Sequence, residues 1–90
     1  MNIVKGETKT GFQFSIDRET FDNMELVDAL AELEGGNPLA VSDAVRLLLG
    51  KEQRKKLYDH LREEGGRVPA TKVTREITDI FSEFGKKGKN

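Results

Sequence analysis

The chain has 90 residues, 36% of them hydrophobic and 34% charged, with a net charge of −1 and no cysteine. That length suits one domain with a thin core, and the missing cysteine excludes disulfides, thiolate metal sites and thiol nucleophiles. Residues 1–12 hold no apolar run of signal-peptide length and no stretch approaches a membrane span, so the expectation is a cytoplasmic protein.

The charge is unevenly placed. Residues 17–43 carry −7 and residues 44–90 carry +5. Either the two halves neutralise each other in the fold, or the first presents an acidic face to a basic partner and the second ends in a basic tail.

In chain order, Thr8, Thr10, Phe12, Phe14 and Ile16 occupy every second position. Such alternation puts β-branched and aromatic side chains on one face of a strand. Ile3-Val4 followed by Lys5-Gly6-Glu7 reads as an earlier strand and a turn. A lone hairpin is marginal in water, so this one has to rest on helices or on a partner. A first helix is expected from near Phe21 or Asp22, with Asp17 and Asp22 as candidate N-caps. Leu26, Val27, Leu30 and Leu33 form its buried stripe, and Gly35-Gly36 ends it. Asn37-Pro38 reads as a cap and a first helical residue. The short apolar helix that follows runs to about Leu49, and Gly50 marks a break. Lys51 to Glu64 is the next helix, with Leu57, Tyr58 and Leu61 on its apolar side. Gly65-Gly66 and Val68-Pro69 then turn the chain. The last helix, from about Ala70 to Phe84, is the most periodic, through Val73, Ile77, Ile80, Phe81 and Phe84. Gly85 is expected to stop it. The expected fold class is therefore mainly α: a compact single domain over residues 1–84, with about four helices, a short N-terminal β-strand or hairpin within residues 1–16, and a flexible basic tail at residues 85–90.

Little in this sequence carries chemistry. His60 is the only histidine, and it reads as an exposed or half-buried helix residue. No metal-ligand set, nucleophile triad or phosphate-cradling loop can be assembled, so no catalytic residue, cofactor or metal is assigned. Lys51, Arg54, Lys55, Lys56 and Arg62 suggest a nucleic-acid patch. Glu52 lies four before Lys56, however, and Asp59 can meet Lys55 or Arg62, so the patch reads as a solvated helix face. Glu25, Asp28 and Glu32 lie three and four apart with no base among them, which makes them candidate contacts for a basic partner. Phe81 and Phe84 are either core or an aromatic docking feature for a partner helix.

The order of segments also carries a resemblance. An acidic helix, residues 22–32, leads through Gly36-Asn37-Pro38-Leu39-Ala40 to Leu47-Leu48-Leu49-Gly50-Lys51-Glu52-Gln53. Leu57-Tyr58-Asp59-His60-Leu61-Arg62 follows, and then Gly66-Arg67-Val68-Pro69. Over roughly Gly11 to Phe84 this resembles the small tail assembly chaperones of long-tailed phages and prophages of Gram-positive bacteria. The resemblance implies a non-enzymatic protein in the cytoplasm of the bacterial host. Such a protein binds and solubilises the tape-measure protein during tail assembly, and the tail-tube protein enters through a longer, frameshifted product. Gly85-Lys86-Lys87 and Lys87-Gly88-Lys89 can both be encoded by heptamers on which paired transfer RNAs slip back one base. The expectation is one such heptamer in the gene, followed by an overlapping frame of a domain's length. Codons that cannot slip, or an early stop in the shifted frame, would remove that product. Self-association stays open. The alternatives are a small helix-turn-helix-like nucleic-acid-binding regulator and a generic protein-interaction module.

Overall fold

A computed structural model describes residues 2–88, with side chains through residue 84. It shows an N-terminal antiparallel hairpin, β1 (Ile3–Glu7) and β2 (Gln13–Asp17), then one turn of 3-10 helix (Arg18–Phe21) and three helices, α1 (Met24–Glu34), α2 (Ala40–Leu61) and α3 (Ala70–Gly88). The three-helix count replaces the expected four. The two helices expected on either side of Gly50 are one element, bent there at φ 73° and ψ −179°.

The hairpin pairs Val4 with Ile16 and Gly6 with Phe14. Phe12, Phe14 and Ile16 are buried as their alternation requires, as are Val4 and Thr8, whereas Thr10 stays exposed. The turn lies elsewhere than expected. The Thr8 N–H donates to the Phe12 carbonyl at 2.9 Å and the Gly11 N–H to the Thr8 carbonyl at 3.0 Å. With Gly11 at φ 95°, this is a three-residue loop closed by a left-handed glycine. Lys5-Gly6-Glu7 belongs to β1. Its glycine serves packing, because a Cβ on Gly6 would stand 2.7 Å from Cζ of the Phe14 ring. Phe14 is only 3% exposed and has little room to retreat. Gly6→Ala is expected to lower unfolding stability by about 1–3 kcal/mol, as overpacking does. Urea unfolding measures this, and pairing it with Phe14→Leu should return part of the loss.

Helix boundaries follow local capping. Asp17 caps the 3-10 turn, its Oδ1 accepting the Glu19 N–H at 2.9 Å. Asn23 caps α1, its Oδ1 accepting the Glu25 N–H at 3.0 Å. The expected cap at Asp22 is therefore one residue early. Asn37 takes the Leu39 N–H on its side chain at 3.2 Å, the bond expected of a cap before Pro38, while the regular α2 runs from Ala40. That helix closes at Leu61, three residues short of Glu64. At the other end of the chain, α3 continues through Gly85 to Gly88. A helical glycine costs only about 1 kcal/mol relative to alanine, so it need not stop a helix. The last positions of the expected tail, Lys89 and Asn90, lie outside the described residues.

The core joins all of these elements. One cluster joins Leu26 of α1, Val45, Leu48 and Leu49 from the first arm of α2, Leu57 and Leu61 from its second arm, Val73, Ile77 and Ile80 of α3, and the hairpin's apolar face. The first arm of α2 lies along α1. The second arm runs along β2, where Gln53 Oε1 accepts the Ser15 N–H at 2.9 Å and Gln53 Nε2 donates to the Ser15 carbonyl at 2.8 Å. The expected α1 stripe is wrong at one position. Leu26 is buried and Leu30 and Leu33 half-buried, but Val27 is 45% exposed. Leu26 and Ala29 face the core, and Val27 lies further around the helix beyond Leu30, where it reaches solvent. No helix among the described residues is long and apolar enough to cross a membrane.

Candidate functional site

The five residues singled out from the sequence fall in two separate places. At about 100° per residue, Glu25, Asp28 and Glu32 lie on the side of α1 opposite Leu30. They line a shallow cleft against Asp43, Arg46 and Leu47 of α2. Arg46, the only base there among the described residues, is paired with Asp43 at 3.2 Å. Among the described residues none of the three acids forms an ion pair, although Glu32 accepts from the Asn37 amide at 3.2 Å. Among the described residues, the one ion pair between the acidic segment and the basic half is this local Arg46–Asp43 contact. The ion pairs cluster instead within the second half, as Lys55–Asp59, Arg62–Asp59, Arg67–Glu63 and Lys72–Glu63.

Phe81 and Phe84 belong to an aromatic cluster that anchors the 3-10 turn to α3. Phe21 stacks on Phe84 with centroids 3.7 Å apart and meets Phe81 edge-on at 5.4 Å. The Arg18 guanidinium lies over the Phe84 ring at 5.6 Å. Phe84 is thus held by its own chain. Phe81 has a second neighbour, an open groove of about 460 Å³ between α1 and α3. Leu30, Leu33 and Glu34 line one wall of that groove, and Thr74, Ile77, Thr78 and Phe81 line the other. Thr74 donates its hydroxyl to the Ala70 carbonyl and Thr78 to the Thr74 carbonyl, both at 3.1 Å. Their polar atoms are satisfied within the helix, which leaves their methyl groups for whatever enters. Val27 and Met24, 45% and 67% exposed, continue the apolar side of α1 beyond the groove. In a chain one-third charged, Glu34 is the only charged residue lining it among the described residues.

The basic arm of α2 is largely occupied by its own acid. Hydrogen bonds from Lys55 and then Arg62 hold the Asp59 carboxyl below the ordinary carboxylate range. The expected Glu52–Lys56 contact is not among the ion pairs of the described residues. Glu52 lines a cleft with Lys51, Arg54 and Tyr58 instead. A helix-turn-helix has a turn of about 3–4 residues, whereas here the single residue Gly50 joins the arms.

A polar cluster at the hairpin tip was not apparent from the sequence. Thr10 donates to Glu76 Oε2 at 2.9 Å and lies 3.0 Å from His60 Nε2 and 3.2 Å from the Thr8 hydroxyl. His60 and Glu76 are 50 and 66 positions away in the chain, beyond the reach of any local spacing. The one available clue was Glu76, which interrupts the core-facing side of α3 between Val73 and Ile80. No group of three or more His, Cys, Asp or Glu able to hold a metal is found among the described residues.

Compared with known proteins, the chain matches no family model, no curated protein and no solved structure.

Proposed function

We propose that this protein is a non-catalytic binding module whose α1–α3 groove receives an apolar face of a helical client. One observation carries the reading: the groove is an apolar cleft almost free of charge on a heavily charged chain. Depletion of charge at the centre with charge kept at the rim is the anatomy of a protein interface, and an amphipathic helix is the element that fills such a groove. The resemblance in sequence supplies the client. A small tail assembly chaperone would hold the long, largely helical tape-measure protein soluble until tube subunits assemble around it. The unpaired Glu25, Asp28 and Glu32 would contribute long-range attraction to basic stretches of that client, more to the rate of encounter than to the lifetime of the complex.

The test is co-expression with the tape-measure protein, reading the soluble client that co-purifies. Val27→Lys combined with Thr78→Lys places charge at two exposed positions, one in the groove and one beside it. The variant is expected to keep its helical circular dichroism and to lose capture by roughly tenfold or more, since burying an unpaired charge in an apolar interface is costly. Unchanged capture by this folded variant would remove the groove from the proposal. In a second arm, Glu25→Lys, Asp28→Lys and Glu32→Lys together should weaken capture at low salt and matter little at high salt. Equal capture at low salt would return these three acids to the role of a solvated face.

A further inference from the structure

On the opposite side of α3 from the groove, the tip of the hairpin closes over a cleft of about 790 Å³. Thr10, His60, Arg62, Glu63, Glu64, Lys72, Arg75 and Glu76 contribute to its lining. Glu76 is 1% exposed, yet only one of its carboxylate oxygens is satisfied. Oε1 is buried and has no hydrogen-bond partner. Buried polar atoms are nearly always paired, and an orphaned one calls for an explanation. Thr10 cannot serve Oε1 as well, because its single hydroxyl proton goes to Oε2. With that proton committed, the neighbouring His60 Nε2 and Thr8 hydroxyl can only donate towards Thr10 Oγ1.

The charges around the cleft divide into two groups. Arg62 is held by Asp59 and the Gly66 carbonyl, and Lys72 by Glu63. Among the described residues lining the cleft, Glu64, Arg75 and Glu76 make no ion pair, which leaves two carboxylates and one base there without a charged partner. We propose that this cleft binds the cationic head of a lysine or arginine side chain from a partner polypeptide, with Glu76 Oε1 as the buried acceptor. A guanidinium or ammonium is a donor-only group. It would fill the orphaned lone pair, and the carbon stems of the exposed side chains lining the cleft would lie along its own aliphatic stem. The site is separate from the α1–α3 groove and stands whether or not a client helix docks there.

The probe is N-acetyl-arginine-amide, which mimics an arginine within a chain. It is titrated into the full-length ¹⁵N-labelled protein, with guanidinium chloride and sodium chloride at matched ionic strength as comparisons. Saturable shifts centred on Thr10, His60 and Glu76 are expected with the arginine derivative and, more weakly, with guanidinium, but not with sodium chloride. Glu76→Gln keeps an acceptor for Thr10 but removes the charge, and should weaken binding by roughly 30-fold or more. Arg75→Glu, a change at an exposed position that leaves the core intact, should tighten it. Equal shifts with all three salts, or shifts located elsewhere, would overturn the assignment, as would Arg75→Glu leaving the affinity unchanged.

Discussion

Truncating Ile77 to alanine should cost about 2–5 kcal/mol of unfolding free energy, the range for a buried large-to-small change that leaves a cavity. Ile77 is 1% exposed and stands where the core ends and the α1–α3 groove begins. A chain of this size has on the order of 5–10 kcal/mol in total, so the change should remove a large part of its stability. Equilibrium urea unfolding measures the loss, with Ile77→Val as the graded control at about 0.5–1.5 kcal/mol. A loss under about 1 kcal/mol for the alanine variant would mean that the side chain belongs to the groove surface and not to the core. Phe84 also makes a ring contact within its own fold. Its stack on Phe21 ties the 3-10 turn to α3, although its place near the end of the periodic stripe had left a docking role open.

The α3 stripe was legible because five apolar residues recur at helical spacing and nothing competes with that pattern. The same logic located α1 and the bend at Gly50. It failed where a residue answers to a distant neighbour. Gly6 looks like a turn glycine in Lys5-Gly6-Glu7, but the Phe14 ring lying across it is what requires it. Val27 fits the α1 stripe by spacing, yet the width of the stripe exceeds the surface that α2 and α3 cover. Of the candidate site, the acids of α1 and the aromatic pair of α3 were visible as local patterns. The groove was not, because it is the space between two helices and no spacing within either one encodes it. The Thr10–His60–Glu76 cluster was hidden for the same reason.

The second large effect is expected at Gly50. Its φ of 73° and ψ of −179° fall in a region that only glycine occupies readily, and an L-residue held there costs of order 1–3 kcal/mol. No heavy atom lies within 4 Å of the position a Cβ would take, so the penalty is torsional and not a clash. Gly50→Ala should therefore destabilise by about 1–3 kcal/mol in urea unfolding, and Gly50→Val by more, because a β-branched residue is worse at positive φ. A synthetic chain with D-alanine at position 50 separates the two causes. Mirror symmetry makes that conformation ordinary for a D-residue, so the D-variant should unfold well above its L-counterpart. Equal midpoints for the two would show that α2 straightens without cost and that the bend is not built into the chain.

The contact between Gln53 and Ser15 bears on how such a protein stays apart from its neighbours. A β-ribbon exposes a rim of unpaired amides along each margin, and such a rim is a template on which unfolded chains can pair. At the midpoint of β2 the two amide groups of that rim are already taken by one side chain that donates and accepts as a backbone would. Gln53 thus acts as a one-residue surrogate third strand, supplied by a helix. For a protein proposed to keep an aggregation-prone polypeptide in solution, this blocks a route by which carrier and cargo could zip together into a cross-chain sheet.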